Sequence, residues 1–486
     1  MITFVLFTGL LVAAYFVHGR FLARFFGVDP RRETPVRRLA DGVDYQELKP
    51  WRLFVIQFLN IAGLGPIFGA VLGAAYGPAA YLWIFLGCIL AGTVHDFFAA
   101  MLSLRHDGMS LPDVVGRYLG RHARRFMTLF TAILLVAVGV SFVNGPADLL
   151  AHLTGIEPGW WLHVIFAYYI LATLLPVNKI IGKIYPFMGA ALIFMAIGIG
   201  ACLLVGGFSG TLHLPELSLD AFKNMHDRPD ENILFPMMFI VISCGAISGF
   251  HATQSPMMAR CTGNERYARP VFYGAMISEG IVAMIWATAA MTFFGGAEAL
   301  NVAAADGKTP AIIVNEICNT WLGKAGAIIA IVGVVVCPIT SGDTAFRGTR
   351  LIVADALRVS QKPLRARLLL STPVFVAAYF LCRFDFSTIW KYVGISNQVL
   401  ATVTLWTISA YLYRARKPHW ITSVPATFLT TVCTTYILVA PYRVGGLALL
   451  PAVGYPVGIL AGIAFLWLFL SRAKNACSPQ GKELLN

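Results

Sequence analysis

Residues Ile233 to Arg260 read ILFPMMFIVISCGAISGFHATQSPMMAR. The stretch is long and apolar enough to cross a bilayer, yet its middle holds Gly245, Ser248 and Gly249, which are weak helix formers. Just beyond, His251, Gln254 and Ser255 fall on one helical face at i, i+3 and i+4 spacing. Backbone breaks and polar side chains are costly in lipid unless they are buried in protein or line a cavity. The stretch is therefore expected to be a broken span forming one wall of a binding site, with Gly245, Ser248, His251 and Gln254 toward a solute.

The rest of the chain supports a membrane reading. It has 486 residues, of which 58% are hydrophobic and 13% charged, with mean hydropathy +0.72. That composition excludes an ordinary soluble domain. Stretches of roughly 20 apolar residues predict thirteen spans, centred near residues 10, 65, 91, 136, 168, 196, 246, 282, 333, 375, 401, 431 and 460. The tenth, Leu368 to Cys382 with Pro373, is short for a full crossing. With the N-terminus outside, 30 of the 37 Lys and Arg fall on inner loops and in the C-terminal tail, as the positive-inside rule requires. The net charge of +13 is then orientation signal and implies no nucleic-acid partner. The first span, Ile2 to His18, has no basic leader and no small-residue cleavage site, so it reads as a retained helix. Nine cysteines are scattered without a C-x-x-C pair and read as packing residues. The expected fold is all-α and polytopic.

Other spans carry polar interruptions. The second contains Asn60-Ile61-Ala62-Gly63-Leu64-Gly65-Pro66; proline removes a backbone donor and should break the helix, with Pro66 opening a new half. Gly63 and Gly65 are thereby candidates to hold a solute. His95 and Asp96 lie on the third span; adjacent residues point about 100° apart, so they are expected to face different neighbours. An ionisable group at the bilayer centre costs about 2.5–3.5 kcal/mol, so each needs a partner; a structural salt bridge is the competing reading. Glu279, eight residues from the inner end of the eighth span, is expected to meet solvent through a vestibule and carry a proton, or else to be a packed carboxyl partner. The ninth span holds Thr340, Ser341 and Asp343; the hydroxyls are oxygen donors for a sodium ion, and Asp343 either carries a proton or pairs with Arg347 at i, i+4. Asn397 and Gln398 on the eleventh bond either other helices or the solute.

The two interrupted spans are the second and the seventh, five apart. Two five-helix halves, 54–206 and 207–412, would run in opposite senses, flanked by an N-terminal helix and loop (1–53) and two C-terminal helices with a tail (413–486). Interrupted spans in corresponding positions of inverted halves point to a secondary transporter's site, where half-helix N-termini favour an anionic group and freed carbonyls a cation. No sequence identity between the halves supports this; topology alone does.

AGTVHDF at 91–97, CGAISGFHATQS at 244–255, YGAMISE at 273–279, TSGDT at 340–344, SNQVLA at 396–401 and DGVDY at 41–45 resemble, in order, the signature segments of the carbon starvation protein A (CstA) family. The resemblance implies an inner-membrane transporter of peptides or pyruvate, driven by protons, with the five-plus-five core of the amino acid–polyamine–organocation superfamily. Two departures stand out: many members carry more C-terminal helices, and several have a more Ser/Thr-rich run after GFH than Ala252 to Met258.

The expected function is a symporter working by alternating access, with no cofactor. Gly63, Gly65, Gly245, Ser248, His251, Gln254 and Asn397 would bind solute. His95, Asp96, Glu279 and Asp343 would carry the proton, or Thr340 and Ser341 a coupling sodium. A sodium-coupled carboxylate symporter and a passive channel are the alternatives. An enzyme is disfavoured because HExxH, GxSxG and Walker A motifs are absent.

Overall fold

The computed structural model describes residues 1–42, 44–174, 181–219, 221–361, 363–384 and 386–476. Lys179, one of the 30 Lys and Arg counted on the inner side, lies outside them. A helix covers or flanks each predicted centre, and no strand occurs among the described residues. Among the described residues, eight helices are long and apolar enough to cross a membrane singly, and the bent second span makes nine. The fifth span, Pro158–Leu174, has 17 residues, and the seventh is broken. The ninth and eleventh, Pro310–Leu357 and Phe386–Arg414, carry the polar runs around Ser341 and Asn397. The doubtful tenth is an 18-residue helix, Leu364–Leu381.

Both interruptions are real. The second span runs Pro50–Ile61, loses helical geometry at Ala62 (ψ 40°) and resumes as Gly65–Ala74 after a 51° bend. Pro66 sits in the opening turn of the second half, where its missing N–H costs no hydrogen bond. The seventh span loses helical geometry at Ile242 (ψ 54°) and restarts as Gly249–Ala259, with Gly245 at φ +88° between. Only glycine adopts that φ without strain.

The breaks lie against each other. A Cβ on Gly65 would stand 2.1 Å from Cys244 Cβ, so the second span reaches the unwound strand only because residue 65 has no side chain. Single π-helical turns, a form frequent at functional sites, occur at Gly65–Gly69, Cys88–Gly92, Leu234–Met238 and Arg269–Tyr273. These fall on spans two, three, seven and eight, two pairs related by five helices.

Two segments between spans pack onto the helices. Met225, between the sixth and seventh spans, donates its N–H to Tyr76 O, and Asn301 Nδ2 bonds the carbonyls of Ala75 and Met225. The amphipathic arm before the kink at Gly323 buries Ile313, Val314 and Ile317 in the core.

Candidate functional site

The unwound strand 242–248 needs hydrogen-bond partners that a helix would supply internally. Side chains of neighbouring spans provide them. Trp83 Nε1 donates to Ile242 O at 3.1 Å, and Gln398 Nε2 donates to Phe239 O at 3.1 Å and to Ile247 O at 3.4 Å. The Gly245 N–H donates to Glu279 Oε1 at 3.1 Å. Gln398 is thus a brace of the break.

Glu279 begins a line of ionisable side chains across three spans. Its Oε2 lies 3.4 Å from His251 Nε2, and His251 Nδ1 is 2.9 Å from Asp96 Oδ2. Asp96 Oδ1 is 2.8 Å from His95 Nδ1. All four residues are 0% exposed. The two adjacent residues of the third span therefore pair, against expectation. The helical wheel fixes where each Cβ points, but rotation about the imidazole's own torsions brings Nδ1 back to the neighbouring carboxylate. The vestibule expected at Glu279 is also absent in this conformation: the carboxylate is sealed.

The carboxylate of Asp96 accepts, so both Nδ1 atoms carry the hydrogen. His251 then presents Nε2 toward Glu279. Close packing holds the line in place: a Cβ on Gly92 would stand 2.2 Å from Ala246 O, so the third span touches the broken backbone directly.

A second set of polar atoms is buried without a hydrogen-bond partner among the described residues. Among them are both amide atoms of Gln57 and Asn60, Ser248 Oγ, Gln254 Oε1 and Asn397 Oδ1. Uncompensated burial of such groups costs about 1–3 kcal/mol each, which a bound solute or water would relieve. Gln57 and Asn60 were not singled out from sequence; two amides at i, i+3 in an apolar span were the available signal. Gly63 faces Ser341 Oγ and the Phe142 ring, which packs edge-on to Phe250 at 6.0 Å between centroids.

The ninth span meets the second at its break. Ser341 Oγ lies 2.9 Å from Leu59 O and 3.1 Å from Cys337 O, while Cys337 Sγ is 2.9 Å from Ala62 O. Thr340 turns its hydroxyl to Cys337 O of its own helix. Asp343 is apart from the His–Asp–Glu line: its Oδ2 accepts from Tyr185 at 2.9 Å and its Oδ1 is 3.9 Å from Arg347 Nη2.

A match to the family described as carbon starvation protein CstA runs over residues 1–146, 140–324 and 295–436. The chain belongs to the CstA family. A Haemophilus influenzae relative, described only as an uncharacterized membrane protein, is 42% identical over 342 residues, covering 61% of this chain and 92% of its own. The Campylobacter jejuni peptide transporter CstA is 26% identical, covering 87% of this chain and 77% of its own. The pyruvate/proton symporter BtsT of Escherichia coli is 27% identical over 57% of this chain and 48% of its own. Among solved structures, MhsT in complex with L-phenylalanine superposes with TM-score 0.55 at 13% identity, covering 87% of this chain and 99% of that one. A Na+-coupled sialic acid symporter gives 0.54 at 14%, covering 96% and 98%. At those identities the likeness concerns the fold, the inverted five-plus-five core with broken second and seventh spans. This CstA-family chain is a multi-pass secondary transporter and not an enzyme.

Proposed function

We propose that the chain is a proton-coupled symporter of the bacterial cytoplasmic membrane, taking up a small carboxylate-bearing solute, pyruvate or a short peptide. The observation that carries this is the sealed Asp96–His251–Glu279 line. With Nδ1–H donated to Asp96, a neutral His251 would set the Nε2 lone pair against a carboxylate oxygen of Glu279 at 3.4 Å. Neither atom offers a hydrogen, so a proton belongs between them. That proton joins the seventh span to the eighth, and Asp96 ties both to the third. Loading or releasing it changes the net charge of a fully buried cluster, which gives an inward proton gradient a handle on the arrangement of these spans.

The solute reading rests on the neighbouring groups. Gln57, Asn60, Ser248, Gln254 and Asn397 offer uncharged donors and acceptors, and the helix beginning at Gly249 presents its N-terminal N–H groups to the break. Such an end favours a carboxylate. Relatives named for peptide and for pyruvate–proton transport have carboxylate solutes in common. Halves 54–206 and 207–412 rock about this site, with the N-terminus outside and the C-terminus in the cytoplasm.

A sodium-coupled mode has one observation in its favour: Ser341 Oγ and Cys337 Sγ of the ninth span reach the carbonyls of Leu59 and Ala62 where the second span breaks. Uptake into proteoliposomes separates the modes. Labelled pyruvate and a labelled short peptide are offered under an inward proton gradient without sodium. Accumulation above equilibrium that a protonophore abolishes is expected. Accumulation only with sodium would transfer the coupling role to Ser341, and downhill flux under both conditions would leave a passive channel.

A further inference from the structure

Cys244 takes no part in the proton line, yet it stands beside it. Its Sγ, a His251 ring nitrogen and a Glu279 carboxylate oxygen all lie within 4.8 Å of one another, the one such cluster of potential ligands among the described residues. His251 Nε2 and Glu279 Oε2 are buried and have no hydrogen-bond partner among the described residues. We propose that Cys244, His251 and Glu279 form a binding site for a single divalent transition-metal ion of the zinc class.

The geometry favours an ion over a chance cluster. Donor atoms sharing a tetrahedral zinc at bond lengths of 2.0–2.3 Å are about 3.3–3.8 Å apart. The 3.4 Å between His251 Nε2 and Glu279 Oε2 is long for a hydrogen bond and already an edge of such a site. The thiol closes the triangle after movement on the order of 1 Å, within the reach of its own torsion. Thiolate, imidazole and carboxylate together suit zinc or cobalt and not magnesium or calcium, which take oxygen ligands.

The surroundings are those of a metal-binding histidine. Asp96 Oδ2 accepts from His251 Nδ1 at 2.9 Å, which fixes the tautomer that leaves Nε2 free. The Gly245 N–H holds the other oxygen of Glu279 at 3.1 Å, leaving Oε2 toward His251 Nε2. Cys244 is half-buried whereas His251 and Glu279 are sealed, so an ion would enter past the sulfur. Three protein ligands leave a fourth position open.

The site shares His251 and Glu279 with the proton path, and this inference rests on the same cluster but not on transport. Its test therefore measures binding alone. Purified protein in nanodiscs is titrated with Co2+, and the thiolate-to-cobalt charge-transfer absorption is followed. One equivalent is expected, displaced by Zn2+. The absorption should vanish in Cys244→Ser, and affinity should fall at least tenfold in Glu279→Gln and about 10–100-fold in Asp96→Asn. Thermal unfolding without metal checks that each variant is folded; should the buried-site variants fail, Cys244→Ser at the half-exposed position decides. Absence of a charge-transfer band in the parent protein, or its survival in Cys244→Ser, would overturn the site and leave the symporter reading untouched. Binding as expected in a protein that shows only downhill flux would uphold the site and remove the symporter.

Discussion

Glu279 and Asp343 are both carboxylates buried completely on membrane-spanning helices, and their neighbours separate their roles. Glu279 faces a histidine ring and a backbone N–H at the break of the seventh span, whereas Asp343 is held by Tyr185 and by Arg347 of its own helix. Glu279→Gln keeps an acceptor for Gly245 but cannot release a proton. It should reduce proton-driven accumulation to simple equilibration while solute counterflow persists; loss of both activities would mean the side chain is needed for binding or folding instead. Removing Asp343 strips a partner from the buried Arg347 guanidinium. Truncating one member of a buried pair costs about 3–5 kcal/mol, so Asp343→Ala should lower the thermal unfolding midpoint in detergent well beyond any effect of Glu279→Gln. Equal midpoints would return Asp343 to the list of proton carriers.

At the scale of the element, the unwound strand 242–248 sets the demands on everything around it. Gly92 admits the Ala246 carbonyl at a separation no side chain would allow. Gly92→Val must therefore push the third span away from the break. Overpacking of this kind costs about 1–3 kcal/mol, and because it also moves Asp96, uptake should fall more steeply than stability; intact uptake in a destabilised variant would show that the contact is only structural. The breaks themselves were legible in the sequence, since Gly-rich and Pro-containing runs inside apolar segments have few other uses. His95, Asp96, His251 and Glu279 were each visible as costly residues in lipid. Their convergence was not, because it depends on how spans three, seven and eight pack, and no local pattern encodes that. Cys244 was passed over because a thiol in an apolar run reads as packing until its neighbours are known. Gln57 and Asn60 were masked by the more conspicuous glycines that follow them.

Across the whole molecule, alternating access requires the inner half of the seventh span to move, and one side chain ties that half to three partners. Arg260, directly after Gly249–Ala259, donates Nε to Gly108 O at 2.8 Å, approaches Asp355 Oδ2 at 3.4 Å and lies over the Tyr45 ring at 5.3 Å. Beyond it opens a pocket of about 480 Å³ lined by Asp107, Asp113, Asp355 and Arg358 among others. Arg260 lines that pocket, nine residues along the chain from His251, on the side that the Lys and Arg distribution assigns to the cytoplasm. Asp355→Asn keeps the shape and removes the charge, and a charge-assisted contact exceeds its neutral counterpart by roughly twofold. The weakened latch should favour the inward-open arrangement. In a variant whose only cysteine is Cys244, a membrane-impermeant thiol reagent should then label faster from the cytoplasmic face when Asp355→Asn is added, and slower again when saturating solute or the proton gradient draws the protein through its cycle. Faster labelling from the outer face would reverse the assigned orientation of the chain. An unchanged rate from both faces would show that the contacts of Arg260 hold the fold together and do not gate it.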